Sequence, residues 1–349
     1  MERGKLRALG NWLVPAFVLL LMCSACSAKY SVRSAQPPAA LQWPYAPAKA
    51  KVTYVQAFQG FVRNGSGSVF RAIAGSEKKE NDLFLLPVAV AKAQDGRMAV
   101  ADMGRKCVHL FIPGKNNYMR IFGHDRETLS SPVSVVFDED LRLYVSDSTG
   151  KILVFGSDGS FISSWRSAGS EAFKRPTGLA YSPIKHLLYV VDTLQNKVYA
   201  LQKNGVLAFS FGQRGEEKEQ FNFPTHIFRS SAGALYVTDS LNFRIQVFDE
   251  SGNFKSLFGH HGDGSGDLAM PKGIAADKDG IIYVADSLFD NVQLFDEKGA
   301  FLLTVGKRGV NFAEFWLPSG IFIDEANTLY VCDTYNHRVQ VFQITEHYS

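Results

Sequence analysis

The sequence predicts an all-β protein: a six-bladed β-propeller of four-stranded antiparallel blades, with the last blade closed by an N-terminal strand. Three observations carry this prediction. An apolar phrase ending in aspartate occurs six times, as Val100-Ala-Asp102, Val145-Ser-Asp147, Val190-Val-Asp192, Val237-Thr-Asp239, Val284-Ala-Asp286 and Val331-Cys-Asp333. The aspartates are 45, 45, 47, 47 and 47 residues apart. A proline precedes each phrase, at Pro87, Pro132, Pro176, Pro224, Pro271 and Pro318. A period in the forties built from short apolar runs marks a propeller, because one unit cannot bury its apolar face alone and must stack against copies.

The first residues read as an export signal. Arg3, Lys5 and Arg7 form a basic stretch, and Trp12 to Met22 is apolar but too short for a comfortable membrane span. Residues 1–25 are therefore expected to be a lipoprotein-type signal peptide. Ser24-Ala25-Cys26 resembles a bacterial lipobox, which makes Cys26 the expected lipidation site. Cys23 stands where that motif prefers leucine, and cleavage after Ala28 without lipidation is the alternative. Removing residues 1–25 takes away three of 37 Lys and Arg and one of 34 Asp and Glu, leaving 34 against 33. A balance so near neutrality gives no argument for nucleic acid. Cys107 and Cys332 occupy different strand positions, so buried free thiols are expected.

Residues 26–50 are rich in Ala, Pro and Ser and lack a period, so a tether is expected there. The propeller is expected over 51–349, with a closing strand and lead-in over 51–86 and six repeats over 87–342. The fourth repeat shows the plan. Pro224-Thr-His-Ile-Phe opens strand one, and proline suits a strand's first residue because it cannot donate to the ladder. Gly233-Ala-Leu-Tyr-Val-Thr-Asp239 makes strand two, Arg244-Ile-Gln-Val-Phe248 strand three and Phe254-Lys-Ser-Leu-Phe258 strand four. Alternation in strands two and three is that of sheets packed on both faces.

The sixth repeat stops after strand three, at Phe342, and an open edge needs closing. Two segments compete. Ser68 to Gly75 has the spacing of the other repeats, whereas Lys51 to Phe58 has the better strand chemistry and is the expected closing strand.

Pro271-Lys-Gly-Ile-Ala, Gly280-Ile-Ile-Tyr-Val-Ala-Asp286 and Asn336-His-Arg-Val-Gln-Val-Phe342 resemble the NHL repeat, over roughly residues 80–342. No repeat has the Trp-Asp ending of WD40. More narrowly, Trp43-Pro-Tyr-Ala-Pro, Pro224-Thr-His226 and Phe315-Trp-Leu-Pro318 look like those of bacterial six-bladed NHL lipoproteins. The resemblance implies a place in the bacterial cell envelope and a membrane contact through the N-terminal lipid. It implies no activity.

In such a propeller strand one lines the axis, and the loops after strands two and four share the usual binding face. An Asp followed by Ser or Thr at a strand end bonds nearby backbone amides, so the six aspartates read as turn-fixing groups. Arg244, Arg338, Lys151 and Lys197 open strand three and are expected to pair with them. Residues that break the repeat are the functional candidates. His226 stands where three other blades have Gly178, Gly273 and Gly320. Asn242, Phe243, Arg244, Phe289, Asp290, Asn291, Trp316, Tyr335 and His337 lie on the same expected face. The leading expectation is a binding or scaffold module for an envelope protein or other ligand, with no cofactor. The alternative is a metal-dependent lyase or hydrolase with a divalent ion in the channel near His226. NHL-type amidating lyases hold zinc with several channel histidines, whereas here Ala89, Ser134 and glycines occupy the matching positions.

Overall fold

The computed structural model describes residues 29–45, 48–64, 82–115 and 117–345. The expected lipidation site Cys26 and the rival closing segment 68–75 lie outside them. Among the described residues no helix is long and apolar enough to cross a membrane.

Five blades are four-stranded antiparallel sheets whose strands follow one another in chain order. In blade 4 they are Pro224–Arg229, Leu235–Asp239, Arg244–Phe248 and Phe254–Phe258. The second and third strands are buried along almost their whole length, whereas the fourth exposes Lys255, Ser256 and Leu257. Six apolar clusters fill the spaces between blades, and each mixes residues from two neighbours. The cluster of Tyr144, Ile152 and Val154 with Leu188, Val190 and Leu201 joins blades 2 and 3, and its counterpart around Phe58, Val90, Val100 and Val341 joins blade 6 to blade 1. No blade has a core of its own, which is why the repeat needs the ring.

Closure comes from the N-terminal side. The strand β1 (Lys29–Ala35), the short β2 (Gln42–Trp43) and the long β3 (Val52–Asn64) join Arg338–Ile344, Thr328–Asp333 and Pro318–Ile323 in a six-stranded sheet. β3 pairs antiparallel with the third strand of blade 6, with Tyr54 opposite Phe342 and Phe58 opposite Val339. The expected closing strand is therefore present and runs six residues further than expected, to Asn64.

The segment expected to be a tether differs in part. β1 lies outside β3 and pairs with it, Tyr30 opposite Arg63 and Ala35 opposite Ala57. Trp43 of β2 is buried and meets the Phe342 ring edge-on at 5.9 Å. The alternating Tyr30-Ser-Val32 run has strand chemistry, and the outer edge of β3 gives it a partner.

The aspartates fix their turns as expected, Asp102 accepting Arg105 N–H, Asp147 Thr149 N–H, Asp192 Gln195 N–H and Asp286 Leu288 N–H, and they also reach back to the preceding loop. Asp102, Asp147, Asp239, Asp286 and Asp333 each accept a backbone N–H from the residue 17 positions earlier, just before strand one. Asp192 does the same with Lys174, 18 earlier. The following hydroxyl then stitches blade to blade: Thr193 donates to Pro224 O at 2.7 Å, Ser240 to Pro271 O at 2.7 Å, and Thr334 closes the ring on Pro87 O at 2.9 Å.

The expected ion pairs divide. Arg244 reaches Asp239 at 2.8 Å and Arg338 reaches Asp333 at 2.7 Å. Lys151 and Lys197 do not pair with their aspartates. Lys151 Nζ donates to Thr128 O at 2.6 Å, and Lys197 Nζ to both Glu171 oxygens at 2.9 Å. Asp147 already accepts from Ser130, Ser131 and Thr149, so its lone pairs are taken and the lysine turns to the preceding loop. Cys107 and Cys332 are free and buried, and burial pushes the Cys107 thiol up to about 12.

Candidate functional site

The loops after strands two and four lie together on one face. Arg244 clamps them, donating to Glu216 O at 2.6 Å, Glu217 O at 2.8 Å and Gln220 O at 3.0 Å. Arg338 repeats this with Asn311 O and Glu314 O in blade 6. Backbone bonds complete the join: Leu241 N–H to Asn222 O, Ser287 N–H to Met270 O and Tyr335 N–H to Trp316 O. The result is a stiff platform.

Several candidate residues are part of that platform. Asn242 Nδ2 donates to Gly215 O and to Asp239, and Arg244 is committed as above. Asp290 is buried and accepts Leu317 N–H at 2.7 Å. Phe243, Asp290 and His337 sit at the matching turn position in left-handed conformation, with φ of 54°, 54° and 56°. The Phe243 ring packs 4.3 Å from His261, and His337 Nδ1 meets Leu85 O. Phe289 is half-buried, with its N–H on Asp286, and Asn291 Oδ1 is buried with no hydrogen-bond partner.

Trp316 and Tyr335 differ from these. They are 41% and 45% exposed, with ring centroids 5.7 Å apart. They belong to a larger crown that includes Leu194, Leu241 and Leu288, exposed by 46%, 48% and 61%. These leucines were not among the residues singled out from the sequence. The available signal was their register: Leu194, Leu241, Leu288 and Tyr335 each follow the blade aspartate by two residues. An apolar side chain repeated at the tip of a polar turn is unusual unless something covers it.

His226 lies on strand one of blade 4, opposite Thr238. Gly178 shows why glycine is usual there: a Cβ on it would come within 2.7 Å of the His226 Cα in the next blade. Gly273 is tighter still, at 2.2 Å from Ser319 O. The imidazole thus occupies a blade-to-blade position. Both ring nitrogens are buried without a hydrogen-bond partner. Burial, with a smaller contribution from Lys272, pushes its pKa down to about 3, so the ring is neutral at physiological pH. Zinc sites need about three protein ligands besides water. Among the described residues no group of three or more His, Cys, Asp and Glu is placed to hold a metal ion.

A closed ring of blades thus presents an exposed apolar loop crown on one face. The family comparisons place it further. The NHL repeat model matches residues 315–342 and a 6-bladed beta-propeller family matches residues 216–287. The chain is a six-bladed β-propeller with NHL repeats. No curated protein matches it by sequence. Among solved structures, an auxiliary nutrient binding protein from Bacteroides thetaiotaomicron is 13% identical, with a TM-score of 0.59 over 75% of this chain and 70% of that one. Its counterpart from Bacteroides ovatus is 15% identical, with a TM-score of 0.57 and the same coverage. A virginiamycin B lyase from Staphylococcus aureus is 12% identical, with a TM-score of 0.56 over 74% of this chain and 95% of that one. At these identities the likeness is one of fold.

Proposed function

We propose that this protein is an exported, envelope-anchored binding module that receives a protein or other ligand on its loop face. The exposed apolar crown of Leu194, Leu241, Leu288, Trp316 and Tyr335 carries this reading. Aromatic and aliphatic groups on a stiff platform bind at little entropic cost, because few torsions remain to be frozen. The names of the two Bacteroides structures, auxiliary nutrient binding proteins, support a binding role. The lipobox-like Ser24-Ala25-Cys26 supports anchoring through lipid at Cys26.

The test is co-purification from native membranes with wild type, Leu288→Ala and Trp316→Ala. Both variants should lose captured material by tenfold or more while their thermal melts stay within a few degrees of wild type. Unchanged capture by both would reject the loop crown as the contact.

A second reading, a metal-dependent lyase or hydrolase, has one observation in its favour: the two unpartnered nitrogens of His226. Stoichiometric zinc or calcium in the purified protein, lost in His226→Ala, would select it.

A further inference from the structure

The outer wall of the ring differs from the rest where the chain enters it. β1 is the outermost strand of blade 6, and it also reaches the next blade. The Tyr30 ring lies 5.2 Å from that of Tyr118, on the outer strand of blade 1, Asn117–Ile121. Tyr30 and Val32 pack against the cluster that holds Phe58, Phe61, Phe84 and Tyr118. β1 is thus fixed to two blades. Cys26 stands only three residues before Lys29, which is already paired with Asn64 of β3. Three residues reach about 10 Å even when fully extended. The headgroup layer on each side of a bilayer is itself about 5–7 Å deep. A lipid on Cys26 therefore gives the wall around Lys29 no room to stand clear of the membrane surface.

The charge of this wall suits such a surface. β1, β3 and Asn117–Ile121 carry Lys29, Arg33, Arg63 and Arg120 and no acidic residue. Arg33 is exposed, whereas Arg120 lies 3.8 Å from Asp82 and shares its charge. The outer strands of the other four blades, Phe161–Trp165, Leu207–Phe211, Phe254–Phe258 and Phe301–Val305, hold one cation among them, Lys255. Anionic headgroups attract lysine and arginine held within a Debye length of the surface. Phe122 follows the outer strand of blade 1 and is 45% exposed, with the Arg120 guanidinium 5.3 Å from its ring centre. An aromatic ring beside a cation fits the headgroup layer, which is apolar on one side and wet on the other.

We propose that the outer wall formed by β1 and the outer strand of blade 1 is a membrane-contact surface, resting on the anionic phospholipid headgroups around the anchor. This rests on the lipid at Cys26 proposed above and is independent of what the loop crown binds. The short reach from Cys26 decides which wall meets the membrane, and Arg33 with Phe122 makes that contact favourable.

Headgroup quenching tests this. The full chain, purified from membranes, is reconstituted into vesicles of phosphatidylethanolamine and phosphatidylglycerol that contain a nitroxide headgroup lipid. One fluorophore is attached through Ser34→Cys on β1, Asn117→Cys on blade 1 or Ser256→Cys on blade 4, all at exposed positions. Cys107 and Cys332 are buried and do not take the label. The labels at 34 and 117 should be quenched threefold or more beyond the label at 256. A twenty-residue Gly-Ser insertion after Ala28, combined with Arg33→Glu, should bring all three to one level. Equal quenching at the three positions without the insertion overturns the proposal, as does quenching that the insertion with Arg33→Glu leaves unchanged. Labelled palmitate checks the anchor separately: the wild type should incorporate it and Cys26→Ala should not. No incorporation in the wild type would reject the anchor, and the wall contact with it. Incorporation with equal quenching would reject the wall contact alone and leave the anchor standing.

Discussion

Arg338 donates through Nε to Asp333 Oδ2 at 2.7 Å across the turn from strand two to strand three of blade 6, and both side chains are buried. The same carboxylate also takes Trp316 N–H, Asn336 Nδ2 and Gln340 Nε2. One charge thus organises strand one, the turn and strand three together.

Arg338→Met should leave Asp333 buried without its counter-charge. Removing one partner of a buried pair costs about 3–5 kcal/mol, because the remaining charge is not resolvated. Chemical denaturation should show this loss, and Arg338→Lys should recover part of it. Lysine keeps the charge but cannot also reach Asn311 O and Glu314 O with a planar fork.

The pH response of the aspartates should differ between blades. Burial alone would raise Asp147, but hydrogen bonds from Thr149 and from the Ser130 and Ser131 amides outweigh it and hold the carboxyl below its ordinary value of 3.8. A depressed acid stabilises the fold above its unfolded pKa, and that contribution is lost as pH falls through the folded one. Asp147→Asn should therefore flatten the acid limb of a melting-temperature profile below about pH 4. Asp333 is raised, chiefly by burial, so its sign is opposite: from 3.8 up to its folded value, stability falls as pH rises. An Asp147→Asn profile parallel to wild type would contradict this account.

Closure by β3 predicts a strong effect from its core residues. Phe58 is 1% exposed and packs against Phe61 and Phe84. Phe58→Ala should cost about 3–5 kcal/mol in denaturant unfolding, as for other buried phenylalanines. Deleting residues 29–35 should cost less, because β1 pairs with β3 alone and lies at the outer edge of the sheet.

His226 has a depressed pKa, so the unfolded chain takes up its proton first as pH falls below about 6.5. Wild-type stability should then decline from that pH towards 3, and His226→Ala should remove one proton's worth of the slope. Its melt at pH 7 should lie within a few degrees of wild type, because the lost packing is offset by the loss of two unpaired buried nitrogens.

What was legible in the sequence was whatever one repeat determines alone. Proline, the apolar phrase and the aspartate recur at fixed distances. The recurrence is local, so blade number, strand order and the turn-fixing role of Asp102 through Asp333 could be read directly, whereas the reach of each carboxylate back to the preceding loop could not. The preference for Lys51 to Phe58 as the closing strand was also legible, from its β-branched and aromatic chemistry. Only the closed ring decided the rest. β1 is a strand because β3 presents it an edge. Lys151 turns away from Asp147 because that acid is already saturated by its neighbours. Leu288 is exposed and the buried His226 ring is uncharged because blades separate in sequence come around one axis, and burial and electrostatic potential are sums over everything that surrounds a group rather than properties of its own repeat.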